Sequence, residues 1–193
     1  MSDQARDANQ AYEDPGWLPA LKRIGVGRIR PSPKGQPDGI IITRSLFVSL
    51  LLFAVVILFV LSFIIEHVGE PKGLALVAVV GLGLGGIAAA VWTAKRSLDV
   101  RSSTSLAKSY RENFFLGFAL NEVPLFLSFA MCMIREEQWP YLLCFPFFVL
   151  GMAVIAPSRR NLERRQQQIQ RQGSSLSLGR ALSHVPRTSE TPP

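Results

Sequence analysis

Residues 45–65 read Ser-Leu-Phe-Val-Ser-Leu-Leu-Leu-Phe-Ala-Val-Val-Ile-Leu-Phe-Val-Leu-Ser-Phe-Ile-Ile, without one charged side chain. As a helix the stretch is about 30 Å long, which matches the hydrocarbon thickness of a bilayer. No other feature narrows the possible folds as much. Three more apolar blocks follow at 73–94, 113–134 and 139–156. The first two of these are long enough to span as helices. The last is short, with Pro140 near its start and Pro146 inside it. Apolar residues make up 48% of the chain and are gathered in these blocks, so the net charge of +7 falls on their flanks. That distribution belongs to a membrane protein rather than a soluble domain. The first block follows a long polar stretch and exceeds a signal peptide's apolar core, so no cleavable signal is expected.

The flanking cations set the expected topology. Arg28, Arg30, Lys34 and Arg44 precede the first block, and Lys72 alone, beside Glu66 and Glu70, follows it. Lys95, Arg96, Arg101, Lys108 and Arg111 fill the second connection. Arg135 with Glu136 and Glu137 makes the third, and Arg159, Arg160, Arg164 and Arg165 follow the fourth block. Cation density alternates high and low, so the positive-inside rule predicts an all-α, polytopic protein with four transmembrane helices and both termini cytoplasmic. The expected division is a cytoplasmic tail over 1–44, a membrane domain over 45–157, and a polar helix with a disordered tail over 158–193. This topology accounts for the basic excess, and no aromatics interleave the cations, so nucleic-acid binding is not expected. Anionic headgroups are the expected partners of the flanks. In the first tail, residues 17–24 read either as a short interfacial helix or as part of a disordered segment.

The third block carries the chemistry. Glu122 lies near its middle, close to the centre of the bilayer, where a carboxylate costs on the order of 2.5 kcal/mol or more. Pro124 removes a backbone donor and leaves the Leu120 carbonyl free, so Asn121, Glu122 and that carbonyl are expected to form one polar group at mid-membrane. No other block offers a cation at that depth. Glu122 is therefore read in two ways: as a hydrogen-bonding group that fixes helix packing, or as a site for an ion, a proton or a group on another chain. In the second block Gly81, Gly83, Gly85 and Gly86 strip the helix of side chains. The four-residue spacing of Gly81 and Gly85, repeated by Gly86 and Ala90, suits close helix packing. The alternatives are a packing face for Glu122 and an ordinary small-residue interface.

Cys132 and Cys144 fall near the same ends of the third and fourth blocks, either bridged or as two buried thiols, and His67 and His184 are isolated. Metal-ligand spacing, a nucleophile–base pair and a phosphate-binding loop are all missing, so no metal, cofactor or enzyme activity is expected. After Pro157 a polar helix is predicted to start at Ser158 and end near Gly173. Leu162, Ile169 and Leu176 recur every seven residues, a thin seam for a partner helix or merely one side of a solvated one.

The hairpin from Gly81 to Met133 resembles the c-subunit (proteolipid) family of rotary ATP synthases. Gly81, Gly83 and Gly85 resemble that family's alternating glycines, and a basic loop leads to Phe115-Leu116-Gly117 and then Glu122-Val123-Pro124-Leu125. The loop lacks the family's Arg-Asn/Gln-Pro signature, and the flanking helices bring no second acid. With the Ala156-Pro157-Ser158-Arg159-Arg160-Asn161-Leu162-Glu163 exit, the whole pattern resembles prokaryotic membrane proteins related to that hairpin. The resemblance implies an inner-membrane location and makes Glu122, with Asn121 beside it, the ion- or proton-binding residue. The expected function is that of a small subunit or stabilising partner of a larger membrane complex. The alternative is ion or proton translocation through Glu122 in a homo-oligomer.

Overall fold

The computed structural model describes residues 14–26 and 39–183. These are all-helical: α1 Leu18–Val26, α2 Gly39–Ile64, α3 Gly73–Lys95, α4 Ser103–Arg135, α5 Trp139–Ile155, α6 Arg159–Arg171 and α7 Leu178–Ser183. Three of them, α2, α3 and α4, are long and apolar enough to cross a membrane. The count becomes four if α5 and α6, which meet at a 50° bend, are taken as one broken span. Chain chemistry sets the breaks. Ser102 caps α4 by accepting the Ser105 N–H at 3.0 Å, and Glu136 ends it in the left-handed conformation with φ 55°. Pro157 forces Ala156 into extended backbone and ends α5. Ser158 then caps α6, and Gly173 turns the chain at φ 78° after it.

α3, α4 and α5 form a tight bundle, and α2 lies along one edge of it. α2 meets the rest along Ile40, Phe47, Ala54 and Leu61, which recur every seven residues and are all buried. The Tyr141 hydroxyl on α5 donates to the Ala54 carbonyl at 2.8 Å. The other faces of α2 are apolar and open, Phe63 being 87% exposed. A hydrocarbon surround suits such a surface. At one end of the bundle the α2–α3 connection pairs with the start of α5. The Gln138 and Trp139 N–H groups donate to the carbonyls of His67 and Val68 at 3.1 and 2.9 Å.

The opposite end departs from expectation. The predicted helix at 113–134 begins instead at Ser103 and has 33 residues, about 50 Å and so longer than a hydrocarbon layer. Its first turns place Leu106, Ala107 and Tyr110 in a second small core with Leu98, Ile169 and α7. Burying that apolar face is what makes the Ser-rich stretch helical rather than a solvated loop. The tail expected to be disordered from about 174 is ordered as far as 183, because Leu178, Ala181 and Leu182 fill the same core. Residues 184–193, with His184, lie outside the described residues. Ile169 is fully buried here, with Leu162 and Leu176 packed beside it, so the seven-residue seam is satisfied within the chain. Gly39 lets α2 start against the end of α7: a Cβ there would stand 2.8 Å from Nη2 of Arg111 and against the Leu182 carbonyl.

α6 runs beneath the bundle and caps it. The Asn161 amide donates to the Val154 and Ala156 carbonyls at 3.0 and 2.9 Å, closing the end of α5. Arg165 donates to the Thr93 and Arg96 carbonyls at 2.9 and 2.8 Å, closing α3. A cation and amides on exposed helix C-termini satisfy both the orphan carbonyls and the helix dipole.

Arg44 is not the flanking cation that charge counting suggests. α2 begins six residues before the predicted 45–65 block, so Arg44 lies inside the helix with its side chain 0% exposed. Its guanidinium grips both carboxylate oxygens of Asp14 and the Gly16 carbonyl. It also donates from Nε to the Pro157 carbonyl at 2.9 Å and lies 5.1 Å over the Trp17 ring. One side chain thus ties the N-terminal segment to the α5–α6 turn. α1 then lies on α2, with Ala20 buried and Trp17 5.7 Å from Phe47; the residues 17–24 are helical from Leu18 on.

Asp14→Asn leaves a buried cation without its counter-charge and should cost about 3 kcal/mol, read as a lower melting temperature in detergent. The hydrogen bond from Arg44 holds the Asp14 carboxyl below its usual range. The native state therefore binds fewer protons than the unfolded one. The pair's contribution is complete above the unfolded carboxyl pKa of about 4 and is lost as pH falls through the lower folded value. Wild-type stability should drop more steeply than that of Asp14→Asn below about pH 4.

Candidate functional site at the middle of the bundle

The three bundle helices cross at Asn121. On α3 the buried row is Val79, Gly83, Gly86, Ala90 and Thr93, a 4-3-4-3 alternation that keeps one stripe facing α4 and α5. Gly83 faces α5, where a Cβ would stand 2.7 Å from the Phe147 ring. Gly86 faces α4, where a Cβ would stand 3.1 Å from Cγ of Pro124 and 3.2 Å from Oδ1 of Asn121. On α5, a Cβ at Gly151 would stand 2.6 Å from Cγ of Asn121. Asn121, 1% exposed, is thus wedged between one glycine on each neighbouring helix. Its Nδ2 donates to the Phe148 carbonyl at 2.9 Å. Its Oδ1 has no hydrogen-bond partner among the described residues and lies against the Cα faces of the two glycines, where only weak Cα–H contacts are on offer.

Pro124 contributes twice. It fills the surface of Gly86, and its own carbonyl accepts the Ser128 hydroxyl at 2.9 Å, which satisfies that buried side chain within α4. One turn toward the other end, Gly117 admits Thr93 of α3 and Ile155 of α5.

Glu122 goes elsewhere. Successive residues of a helix point about 100° apart, so with Asn121 turned inward Glu122 is carried to the edge of the buried face. It is half-buried, next to Val123, which is 52% exposed, and one turn from Phe126, which is 67% exposed. Among the described residues it makes no hydrogen bond or ion pair. The single polar group expected from Asn121, Glu122 and the Leu120 carbonyl is therefore split: the amide is interior, and the carboxyl is peripheral. The glycines divide likewise. Gly83 and Gly86 line the bundle, while Gly81 and Gly85 face outward, with nothing within 4 Å of where a Cβ would stand. The Gly81–Gly85 pair therefore plays no part in packing among the described residues. Gly151 is a site residue that sequence reasoning misses. Its one signal is a lone glycine in the otherwise bulky helix 139–155.

Cys132 and Cys144 are both free and buried. The Cys132 sulfur accepts the Tyr141 N–H at 3.3 Å, so it helps to seat the first turn of α5. No group of three or more His, Cys, Asp or Glu among the described residues is placed to hold a metal ion.

Gly151→Ala should lower the melting temperature in detergent, at a cost of about 1–3 kcal/mol for an overfilled core. Gly86→Ala should cost less, because its neighbours stand farther off. Gly81→Ala and Gly85→Ala, on the open face, should leave the melting temperature unchanged or slightly raised. Compared with protein-family models, curated proteins and solved structures, the chain gives no match, so any function must be argued from its own residues.

Proposed function

We propose that this is an integral protein of a prokaryotic cytoplasmic membrane with four spans and both termini cytoplasmic, working as a subunit or stabilising partner of a larger membrane complex. One observation carries the proposal: the Glu122 carboxyl stands at the bundle's edge, in the middle of apolar helices, without a partner among the described residues. A carboxyl in that position is costly against acyl chains and gains by meeting a donor or cation on a neighbouring protein. The charge distribution supports the orientation. Lys72 and Arg135, at one end, are matched by Glu70 and Glu137. At the other end Lys95, Arg96, Arg101, Lys108 and Arg111 lie in and around the α3–α4 connection and five arginines lie on α6, a clear excess of cations by count.

A second reading keeps the same residue and changes its role: Glu122 binds a proton or an ion in a homo-oligomer, as the c-subunit resemblance of the α3–α4 hairpin implies. It is favoured by Gly81 and Gly85, which leave an open groove on α3 for the close approach of another helix. Neither reading requires catalysis or a cofactor.

A photo-crosslinker placed at Val123 in native membranes should capture a defined neighbour. Recovery of monomer alone would defeat both readings. A hydrophobic carbodiimide should label Glu122 and not Glu122→Gln. Protection of that label by Na⁺ or by high pH would select ion or proton binding, and indifference to both would select a packing contact. Because Glu122 makes no internal bond, Glu122→Gln should leave the stability of the isolated protein, read from its melting temperature, within about 0.5 kcal/mol of wild type.

A further inference from the structure

Between the ends of α3 and α5 and the upper face of α6 lies a cavity of about 930 Å³. Its inner wall is apolar, formed by residues such as Val91, Phe114, Leu150 and Val154. Its rim is cationic: Lys95, Arg160, Arg164, Arg165 and Arg171 line it, and no Asp or Glu among the described residues does. None of these five is in an ion pair among the described residues. Glu163, the acid on α6, is engaged by Arg159 at 2.9 Å outside the cavity. Asn113 also lines the cavity. It is 6% exposed, and its Nδ2 donor is without a hydrogen-bond partner among the described residues.

We infer that this cavity binds the phosphate-bearing headgroup of an anionic membrane lipid, with the acyl chains lying along its apolar wall. Four cations whose side chains make no hydrogen bond or ion pair among the described residues (Lys95, Arg160, Arg164 and Arg171), with the charge of Arg165 behind them and the unpaired Asn113 donor, make the lining strongly cationic, and phosphate oxygens are the acceptors that suit guanidinium groups. The helix ends do not oppose an anion here, because the carbonyls closing α3 and α5 are already taken by Arg165 and Asn161. Arg165 has its donors committed to the Thr93 and Arg96 carbonyls and the Gln168 side chain, so it adds positive charge to the wall and leaves direct contact with the phosphate to the other four cations. Free phosphate has the same headgroup chemistry. The lipid is favoured by the wall, because Leu150 lines the cavity and is also 57% exposed on the outer surface. The site therefore opens sideways toward acyl chains. The volume suits a headgroup with its first methylenes. This inference requires only that the bundle sits in a bilayer, and it stands whether or not Glu122 has a protein partner.

The full-length protein, stripped of lipid in mild detergent, is given phosphatidylglycerol, phosphatidylcholine or inorganic phosphate, with retention followed by native mass spectrometry and stability by thermal melting. Phosphatidylglycerol should be retained and should raise the melting temperature, and the other two should not. Arg160 and Arg164 are exposed and cap no helix, so R160Q/R164Q should fold normally and lower phosphatidylglycerol affinity by about tenfold or more. K22Q/R101Q removes the same charge away from the cavity and should bind as wild type. Equal retention of phosphatidylcholine would overturn the site. So would an equal loss in K22Q/R101Q, or full protection by inorganic phosphate alone.

Discussion

The Asn121 amide occupies a space that exists only because the residues on both sides of it have no side chain. Gly86 and Gly151 bring α3 and α5 close enough to enclose it, and its hydrogen bond to the Phe148 carbonyl joins two apolar helices at the depth where no water can compete. In lipid, apolar surface gives no drive for helices to associate, so close packing and a few polar contacts must do it. The rest of the bundle follows from that crossing. Gly83 then meets Phe147, Gly117 admits Thr93 and Ile155, and the rotation of α4 about its own axis is set.

That rotation also gives Glu122 its character. Had α4 turned the other way by one residue, the carboxyl would be interior and the amide would face lipid. As it is, a neutral side chain that can satisfy one donor internally takes the core. The side chain that cannot be satisfied inside is left where another molecule can reach it. The same division holds on α3, where one set of glycines builds the bundle and the other, Gly81 and Gly85, leaves a bare outer surface.

At the charged end, polar side chains replace what the membrane cannot supply. α6 commits its Asn161, Arg165 and Gln168 side chains to the final carbonyls of α5 and α3. A second apolar core beneath them fixes α4's extension, α6 and α7 together. Arg44 does the equivalent for the N-terminal segment, and because Asp14 meets it with both oxygens, it can be fully buried inside a helix otherwise suited to lipid. Beside the capping Arg165, the uncommitted Arg160, Arg164 and Arg171 of the same helix line an open cavity.

Hydropathy, which is additive along the chain, was enough to place the apolar helices and most of their breaks: Pro157, Ser158 and Gly173 act on their own neighbours and need no distant partner. It stopped α2 at Arg44 and α4 at Asn113, because it cannot register that Asp14, thirty residues upstream, neutralises the arginine, or that Ile169 and Leu182 shelter Leu106. Which glycines face inward was half-legible. The 4-3-4-3 row through Gly83 and Gly86 was present, but the spacing of Gly81 and Gly85 looked equally good, and spacing does not say which way a helix is turned. Thus local composition determined that this chain makes apolar helices with basic ends and one acid among them. Only tertiary structure decided that Asn121, and not Glu122, holds the helices together, because the choice depends on steric fit against Gly151, a residue thirty positions away.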